Sequence, residues 1–163
     1  MIYSRRVLYH FIFSMKALFT TRPSLGLTVL RLAIAAVMIY HGGQKLGYFG
    51  GFGLEGTLGF FSGMGVPAFI TYLVIVGEFV GGIAMVLGFF TRFTAASWVV
   101  IMIGAIYIVH WAQIPEQGFK AVEFQLLLLA TSLTLLCEGA GCLSIDRFLG
   151  KKDCENCKSE EKK

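Results

Sequence analysis

The chain has 163 residues, of which 56% are hydrophobic and 15% are charged, and its mean hydropathy is +0.71. These values exclude an ordinary soluble domain and indicate a one-domain membrane protein, with the lipid bilayer as its partner. The formal charge of +4 does not indicate nucleic-acid binding, because the basic residues lie at the ends of apolar segments and not on a folded basic face.

The N-terminal segment, residues 1–24, is basic and amphipathic. Apolar residues recur at helical spacing through most of it, opposite Arg5, Arg6 and Lys16. This pattern is typical of a helix that lies in the membrane interface, and a poorly ordered basic tail is the alternative. The segment lacks a small-residue cleavage site, so we do not interpret it as a signal peptide. Ser24 is a predicted N-cap for the helix that follows.

Four apolar segments are each long enough to cross a bilayer, for which about 20 residues suffice. They cover about residues 25–46, 66–90, 93–112 and 119–137. We therefore expect an all-α membrane protein whose residues 25–147 form an antiparallel four-transmembrane-helix bundle, followed by a charged cytoplasmic tail at residues 148–163. The glycine-rich connection at residues 47–65 carries many aromatic residues and is expected to lie on the membrane surface.

The distribution of basic residues predicts the orientation. Of the 14 lysines and arginines, 11 fall on the side of the predicted bundle that holds both termini. Only Lys45 and Lys120 fall on the other side, and Arg31 lies inside the membrane. Because cytoplasmic loops carry an excess of Lys and Arg, we expect a multi-pass protein of the cytoplasmic (inner) membrane with both termini in the cytoplasm.

Two charged residues lie deep in the predicted spans. Glu78 stands near the middle of the second span and Arg31 in the inner part of the first. A charge at that depth costs roughly several kcal/mol unless it has a partner or a function. A rise of about 1.5 Å per residue places the two roughly 9 Å apart along the membrane normal, and an arginine side chain covers much of that distance. We predict an Arg31–Glu78 ion pair that fixes helix register, with proton transfer by Glu78 during quinone reduction as the alternative.

A second polar layer is predicted nearer the outer face. The same rise places His41, His110 and Glu123 each about 5 to 8 Å below that face, with Lys45 one turn above His41. These groups are candidates for a small-molecule or quinone head-group site or for a metal site, and mutual hydrogen bonding is the structural alternative. Because the sequence has no close ligand pair such as HxxH, we assign no metal.

All four cysteines fall on the predicted cytoplasmic side, where a reducing environment disfavours structural disulfides. Cys154 and Cys157 form a CxxC pair in the charged tail. We interpret this pair as labile thiols that are candidates for redox chemistry. Thiol–disulfide exchange and half of a zinc site are the alternatives.

Several short motifs follow one another between Leu25 and Arg147. They are Arg31, HGGQK at 41–45, GVP at 65–67, GEFVGG at 77–82, LGFFTR at 87–92, Glu123 and GAGCLSID at 139–146. Their order resembles the DoxX family of small four-span membrane proteins, which is related to the DoxD-type subunit of thiosulfate:quinone oxidoreductase. The resemblance implies a membrane oxidoreductase component that works with quinone or with a soluble or membrane redox partner. It supplies no catalytic residues, so a non-enzymatic anchor or scaffold for a redox partner and a small-solute carrier stay open as alternatives.

Overall fold

The computed structural model describes residues 21–149, and the regular structure within them is helical. The α-helices are α1 (Leu25–Leu46), α2 (Gly53–Gly63), α3 (Ala68–Leu87), α4 (Thr91–Ala105), α5 (Ile114–Gln117) and α6 (Glu123–Glu138). No strand occurs in this part of the chain, so the predicted all-α class is confirmed. The predicted interfacial helix and nearly all of the charged tail lie outside the described residues.

Three helical stretches are long and apolar enough to cross a membrane: Leu25–Leu46, Ala68–Leu87 and Thr91–Ala121. The third stretch is not one continuous α-helix, because α4 ends at Ala105 and a π-helical turn, Ile106–His110, follows it. The last helix, α6, has 16 residues, which corresponds to a length of about 24 Å. The predicted number of four spans therefore remains a prediction.

Local signals set the ends of α1 and α3. Ser24 caps α1 as predicted, since its Oγ accepts a hydrogen bond from the backbone N–H of Leu27 at 3.4 Å. Both helices end at a glycine, Gly47 after α1 and Gly88 after α3, with φ of 92° and 65°. These left-handed values carry little cost in glycine, which lacks a Cβ. At its other end α3 follows Pro67, whose extended backbone separates it from α2.

The four longest helices pack as two pairs, α1 with α3 and α4 with α6. The two backbones of the first pair approach closely at glycines. A Cβ added to Gly42 of α1 would lie 2.7 Å from the backbone nitrogen of Phe79 on α3, and one added to Gly82 of α3 would lie 2.6 Å from Cγ1 of Ile39 on α1. This close contact fixes how far the two antiparallel helices are shifted along each other.

Trp98 of α4 joins the two pairs. It is fully buried, lies against Gly81 of α3, and donates its indole N–H to the carbonyl of Gly77 at 2.8 Å. The buried apolar core around it contains Ile34, Ala35, Met38, Met85, Ala95, Met102, Leu128 and Leu135. Large apolar side chains such as Val29 and Val80 stay exposed on the outer faces, as expected for a surface that contacts lipid.

The bundle has two ends, which we name by their position in the chain. At the terminal end, α1 begins, the turn at Gly88 joins α3 to α4, and α6 finishes. At the loop end, α1 finishes, α3 begins, and residues 106–121 join α4 to α6. The short helix α2 is tied to the loop end, because Thr57 Oγ1 donates a hydrogen bond to the carbonyl of Lys45 at 3.3 Å.

Candidate functional site

Glu78 is a buried carboxylate on α3. The residue is only 4% exposed, and its Oε2 accepts a hydrogen bond from Nζ of Lys45 on α1, so that the two form an ion pair. The Lys45 side chain is 22% exposed. The two opposite charges compensate each other where water is largely excluded, which is the condition for keeping a carboxylate at such a depth.

The predicted Arg31–Glu78 pair is therefore wrong. The depth argument placed residue 25, where the first predicted span begins, level with residue 90, where the second ends, whereas the Gly42–Phe79 contact sets a different register. Arg31 lies level with Gly88, and ten residues separate Gly88 from Glu78, which corresponds to about 15 Å along the helix. An arginine side chain does not cover that distance, whereas Lys45 is in direct hydrogen-bond contact with Glu78.

Arg31 instead takes part in a network at the terminal end. Its Nη2 donates a hydrogen bond to the carbonyl of Leu143 at 2.5 Å, and its guanidinium packs against Gly88, where no side chain fits. The carboxylate of Asp146 attracts the guanidinium electrostatically. Nε and Nη1 of Arg31 are buried without a hydrogen-bond partner in the described part of the chain. Arg31 thus fastens the segment after α6 to the start of the bundle.

Asp146 is the residue of this network that the sequence analysis did not single out. Its two carboxylate oxygens accept the backbone N–H groups of Phe90 and Thr91, each at 2.8 Å, and its own N–H donates to the carbonyl of Gly88. Asp146 therefore caps α4 from a distant part of the chain, at a turn where Phe90 has a positive φ of 51°. The only signal in the sequence was its place in the GAGCLSID motif.

Cys142 anchors the same segment to α1. Its backbone N–H lies 3.3 Å from the carbonyl of Ser24 and 3.1 Å from Oγ1 of Thr28. Gly141 precedes it with a φ of 84° and packs so closely on Thr28 that an added Cβ would lie 2.7 Å from the hydroxyl. Cys142 and Cys137 are free thiols. The predicted redox pair, Cys154 and Cys157, lies outside the described residues.

A cavity of about 1090 Å³ opens between the two helix pairs towards the loop end. Its walls are mainly apolar, and its lining also includes the Lys45–Glu78 pair. The other polar side chains in its lining are His41, Gln44, Thr57, Ser97, His110 and Gln125. An apolar cavity with a few convergent polar groups is the usual form of a small-molecule site.

The two histidines enter the cavity from opposite pairs. Nε2 of His110 lies 2.8 Å from Nε2 of Gln125 on α6, and its Nδ1 is buried without a hydrogen-bond partner in the described structure. The ring of His41 on α1 contacts the ring of Phe124, with centroids 5.6 Å apart. His110 comes from the π-helical turn after α4, an irregularity that is frequent at functional sites.

Glu123 does not join this group. It is exposed and is not part of the cavity lining, whereas Gln125, two residues further along α6, hydrogen-bonds to His110. Residues two apart on a helix point to different sides, so only one of these two side chains faces the cavity. Of the predicted outer layer, the structure brings together His41, Lys45 and His110. Within residues 21–149, no three His, Cys, Asp or Glu side chains cluster as a metal site would require.

Comparison with known proteins gives one consistent result. The DoxX family model matches residues 26–111. The chain is 34% identical over 131 residues to the "Putative oxidoreductase CatD" of Bacillus subtilis (strain 168), which covers 79% of this chain and 92% of the relative. It is 34% identical over 129 residues to the "Inner membrane protein YqjF" of Escherichia coli (strain K12), which covers 78% and 94%. No solved structure matches it significantly. This chain belongs to the DoxX family of membrane proteins.

Proposed function

We propose that this protein is the quinone-binding membrane component of an oxidoreductase. The observation that carries the proposal is the Lys45–Glu78 ion pair, partly buried in the lining of an apolar cavity that also contains His41 and His110. The name of the related oxidoreductase from Bacillus subtilis supports the reaction class. It leaves the electron acceptor open, and the chemistry of the cavity supports a quinone in that role.

A quinone head group suits the polar groups of this cavity. Its ring is flat and apolar, and its two carbonyl oxygens accept hydrogen bonds. The Lys45 ammonium and the Gln125 amide are donors, and an imidazole donates through whichever nitrogen carries the proton. The unpartnered Nδ1 of His110 provides a further donor or acceptor. Apolar walls with donors at a few points would hold the ring and orient both oxygens.

The redox step requires a second protein. Reduction of a quinone to a quinol adds two electrons and two protons. In this proposal the electrons come from a reduced soluble or membrane partner protein. The Lys45 ammonium stabilises the negative charge that develops on one quinone oxygen, and Glu78 balances the lysine when the site is empty. The protein itself supplies binding and orientation, and the two protons come from water by way of the Lys45 ammonium and the His110 imidazole.

The test is a search for bound quinone followed by titration. Protein purified in mild detergent is extracted with organic solvent and the extract is analysed for quinone. Delipidated protein is then titrated with a quinone while tryptophan fluorescence is recorded. We expect Lys45→Met and Glu78→Gln to weaken binding at least tenfold, because each removes one charge from the pair. Glu123→Gln, which changes an exposed carboxylate outside the cavity lining, is the matched control.

Two results would contradict this function. An extract without quinone, together with a flat titration of wild-type protein, would favour a non-enzymatic scaffold for a redox partner. Equal weakening by all three variants would show that the effect is not specific to the cavity. Each variant is also checked by its thermal unfolding, so that loss of fold is separated from loss of ligand.

We further infer an inner-membrane location with both termini in the cytoplasm. The name of the Escherichia coli relative and the excess of basic residues at the terminal end support this orientation. Arg22, Arg92 and Arg147 lie at that end, against Lys120 and the inward-facing Lys45 at the loop end. A C-terminal alkaline phosphatase fusion should be inactive and a C-terminal fluorescent fusion bright. The reverse pattern would contradict the orientation.

A further inference from the structure

The cavity continues as a groove along α4. Phe93, Ser97, Val100, Gly104 and Ile108 all belong to its lining, at spacings of 4, 3, 4 and 4 residues. Such spacing places them on one side of the helical stretch. The polar part of the cavity at the loop end, lined by His41, Lys45, Glu78, His110 and Gln125, is called the polar chamber below. The distance from Phe93 to Ile108 is about 22 Å at the rise of an α-helix, so the groove extends from this chamber towards the terminal end.

The opposite wall of the groove comes from α3 and is also apolar. Leu73, Val76 and Gly77 line it there. The side chains that line the groove are exposed at the same time: Leu73 is 54% and Val100 is 70% exposed. A side chain that lines a cavity and remains on the outer surface marks an opening. The groove between α3 and α4 therefore opens sideways, towards the lipid.

Contacts narrow the other boundaries of the cavity, although Phe52, Phe60 and Phe124 of its lining are also partly exposed there. On the opposite side of the bundle, the ring contact between His41 and Phe124 joins α1 to α6. At the loop end, α2 is tied to α1 by the hydrogen bond from Thr57 to the Lys45 carbonyl. Towards the terminal end, α3 and α4 are in contact where Gly81 meets Trp98. The lateral groove is an opening that leads from the polar groups of the cavity into the bilayer at the level of α3 and α4.

We propose that the α3–α4 groove binds the isoprenoid tail of a membrane-dissolved quinone, which enters the chamber sideways from the lipid. This inference rests on the proposed function and adds the class of quinone, one with a long apolar tail. The argument for this occupant is continuity: a polar chamber that runs into a long apolar groove matches a molecule with a polar head and an apolar tail. Because the tail exchanges lipid contacts for protein contacts, the groove holds it by van der Waals packing and not by the hydrophobic effect.

Gly104 offers a direct test, because an added Cβ there meets no atom within 4 Å. Gly104→Leu should fill the groove without disturbing the helix. Gly59→Leu is the matched control, since Gly59 on α2 has equally open surroundings and lies outside the lining. Affinities for a tailless quinone and for a long-tailed quinone are measured for wild type and both variants in lipid nanodiscs. The ratio of variant to wild type for each quinone cancels its partitioning into lipid.

We expect Gly104→Leu to lower the affinity for the long-tailed quinone at least tenfold and to leave the affinity for the tailless quinone within twofold of wild type. The control should change neither. Leu73→Trp fills the groove from the opposite wall and should act alike, so the test does not depend on one variant folding. Equal changes in affinity for both quinones, or no change for either, would contradict binding of the tail in the α3–α4 groove. The proposal would also be overturned if Gly104→Leu lost a phospholipid that co-purifies with wild-type protein and kept its affinity for the long-tailed quinone. An acyl chain would then be the occupant of the groove.

These outcomes separate the two proposals. If wild-type protein binds neither quinone, the proposed function fails. If wild-type protein binds both quinones and groove-filling variants bind both as well as wild type does, the head-group site stands and only the tail groove fails.

Discussion

Lys45 and Glu78 form an ion pair between α1 and α3, and the same pair lines the cavity at the loop end. Gly42 lies one turn before Lys45 and packs against the backbone of Phe79, so that the two helix backbones come close together. The pair thus connects helix packing with the candidate ligand site. A change in the α1–α3 register would separate the two charges and alter the lining of the cavity.

The ion pair predicts strong thermodynamic coupling between its two residues. Lys45→Met or Glu78→Gln alone should lower the free energy of unfolding by about 3 kcal/mol, because each leaves or exposes an uncompensated polar group. The double variant should lose less than the sum of the two. Unfolding in detergent micelles, measured for the full double-mutant cycle, gives the coupling energy. Additive losses would contradict the pair. In the parallel cycle, Arg31→Met and Glu78→Gln should add within about 0.5 kcal/mol, since they share no contact.

The cap on α4 predicts a role for Asp146 in stability. Asp146→Asn removes the charge from an acceptor of two backbone N–H groups, those of Phe90 and Thr91. We expect the free energy of unfolding to fall by about 1.5 to 3 kcal/mol, the range for hydrogen bonds to charged groups. Thermal unfolding in detergent measures the change. Glu123→Gln, at an exposed carboxylate, should stay within about 0.5 kcal/mol of wild type. An equally small effect of Asp146→Asn would show that the cap is dispensable.

The close helix contact predicts that Gly42 does not accept a side chain. Gly42→Ala would place a Cβ 2.7 Å from the backbone of Phe79, which has to move apart. We expect a loss of about 1 to 3 kcal/mol, typical of overpacking in a tight interior. Gly59→Ala, in open surroundings on α2, should be neutral or should stabilise the helix by up to about 1 kcal/mol. Comparable stability of the two variants in thermal unfolding would contradict the contact.

The two tryptophans should give different fluorescence signals. Trp98 is 0% exposed, whereas Trp111 is 63% exposed at the loop end. The Trp111→Phe variant, which retains only Trp98, should emit at shorter wavelength and resist quenching by acrylamide. The Trp98→Tyr variant should report Trp111 alone and be quenched readily. Equal quenching of the two variants would show that Trp98 is not enclosed between α3 and α4.

Several features follow from the sequence because their causes are local. Continuous apolar segments indicated membrane helices, since a polar backbone in lipid must satisfy its hydrogen bonds internally. Ser24 was identified as a helix cap because the cap acts within one turn of the chain. The polar residues inside the apolar segments, including Glu78, Lys45, His41 and His110, stood out in the same way. The order of the short motifs was sufficient to indicate the family.

Only the tertiary structure decided which of these polar residues meet. The contact at Gly42 sets the register of α1 along α3. That register places Glu78 next to Lys45 and Arg31 next to Gly88. Asp146 reaches Phe90 from 56 positions away in the chain, beyond the range of any local pattern. The rotation of α6 turns Gln125 towards His110 and Glu123 outwards. Helix register and rotation arise from the packing of distant side chains against one another, so residue spacing within a single helix does not determine them.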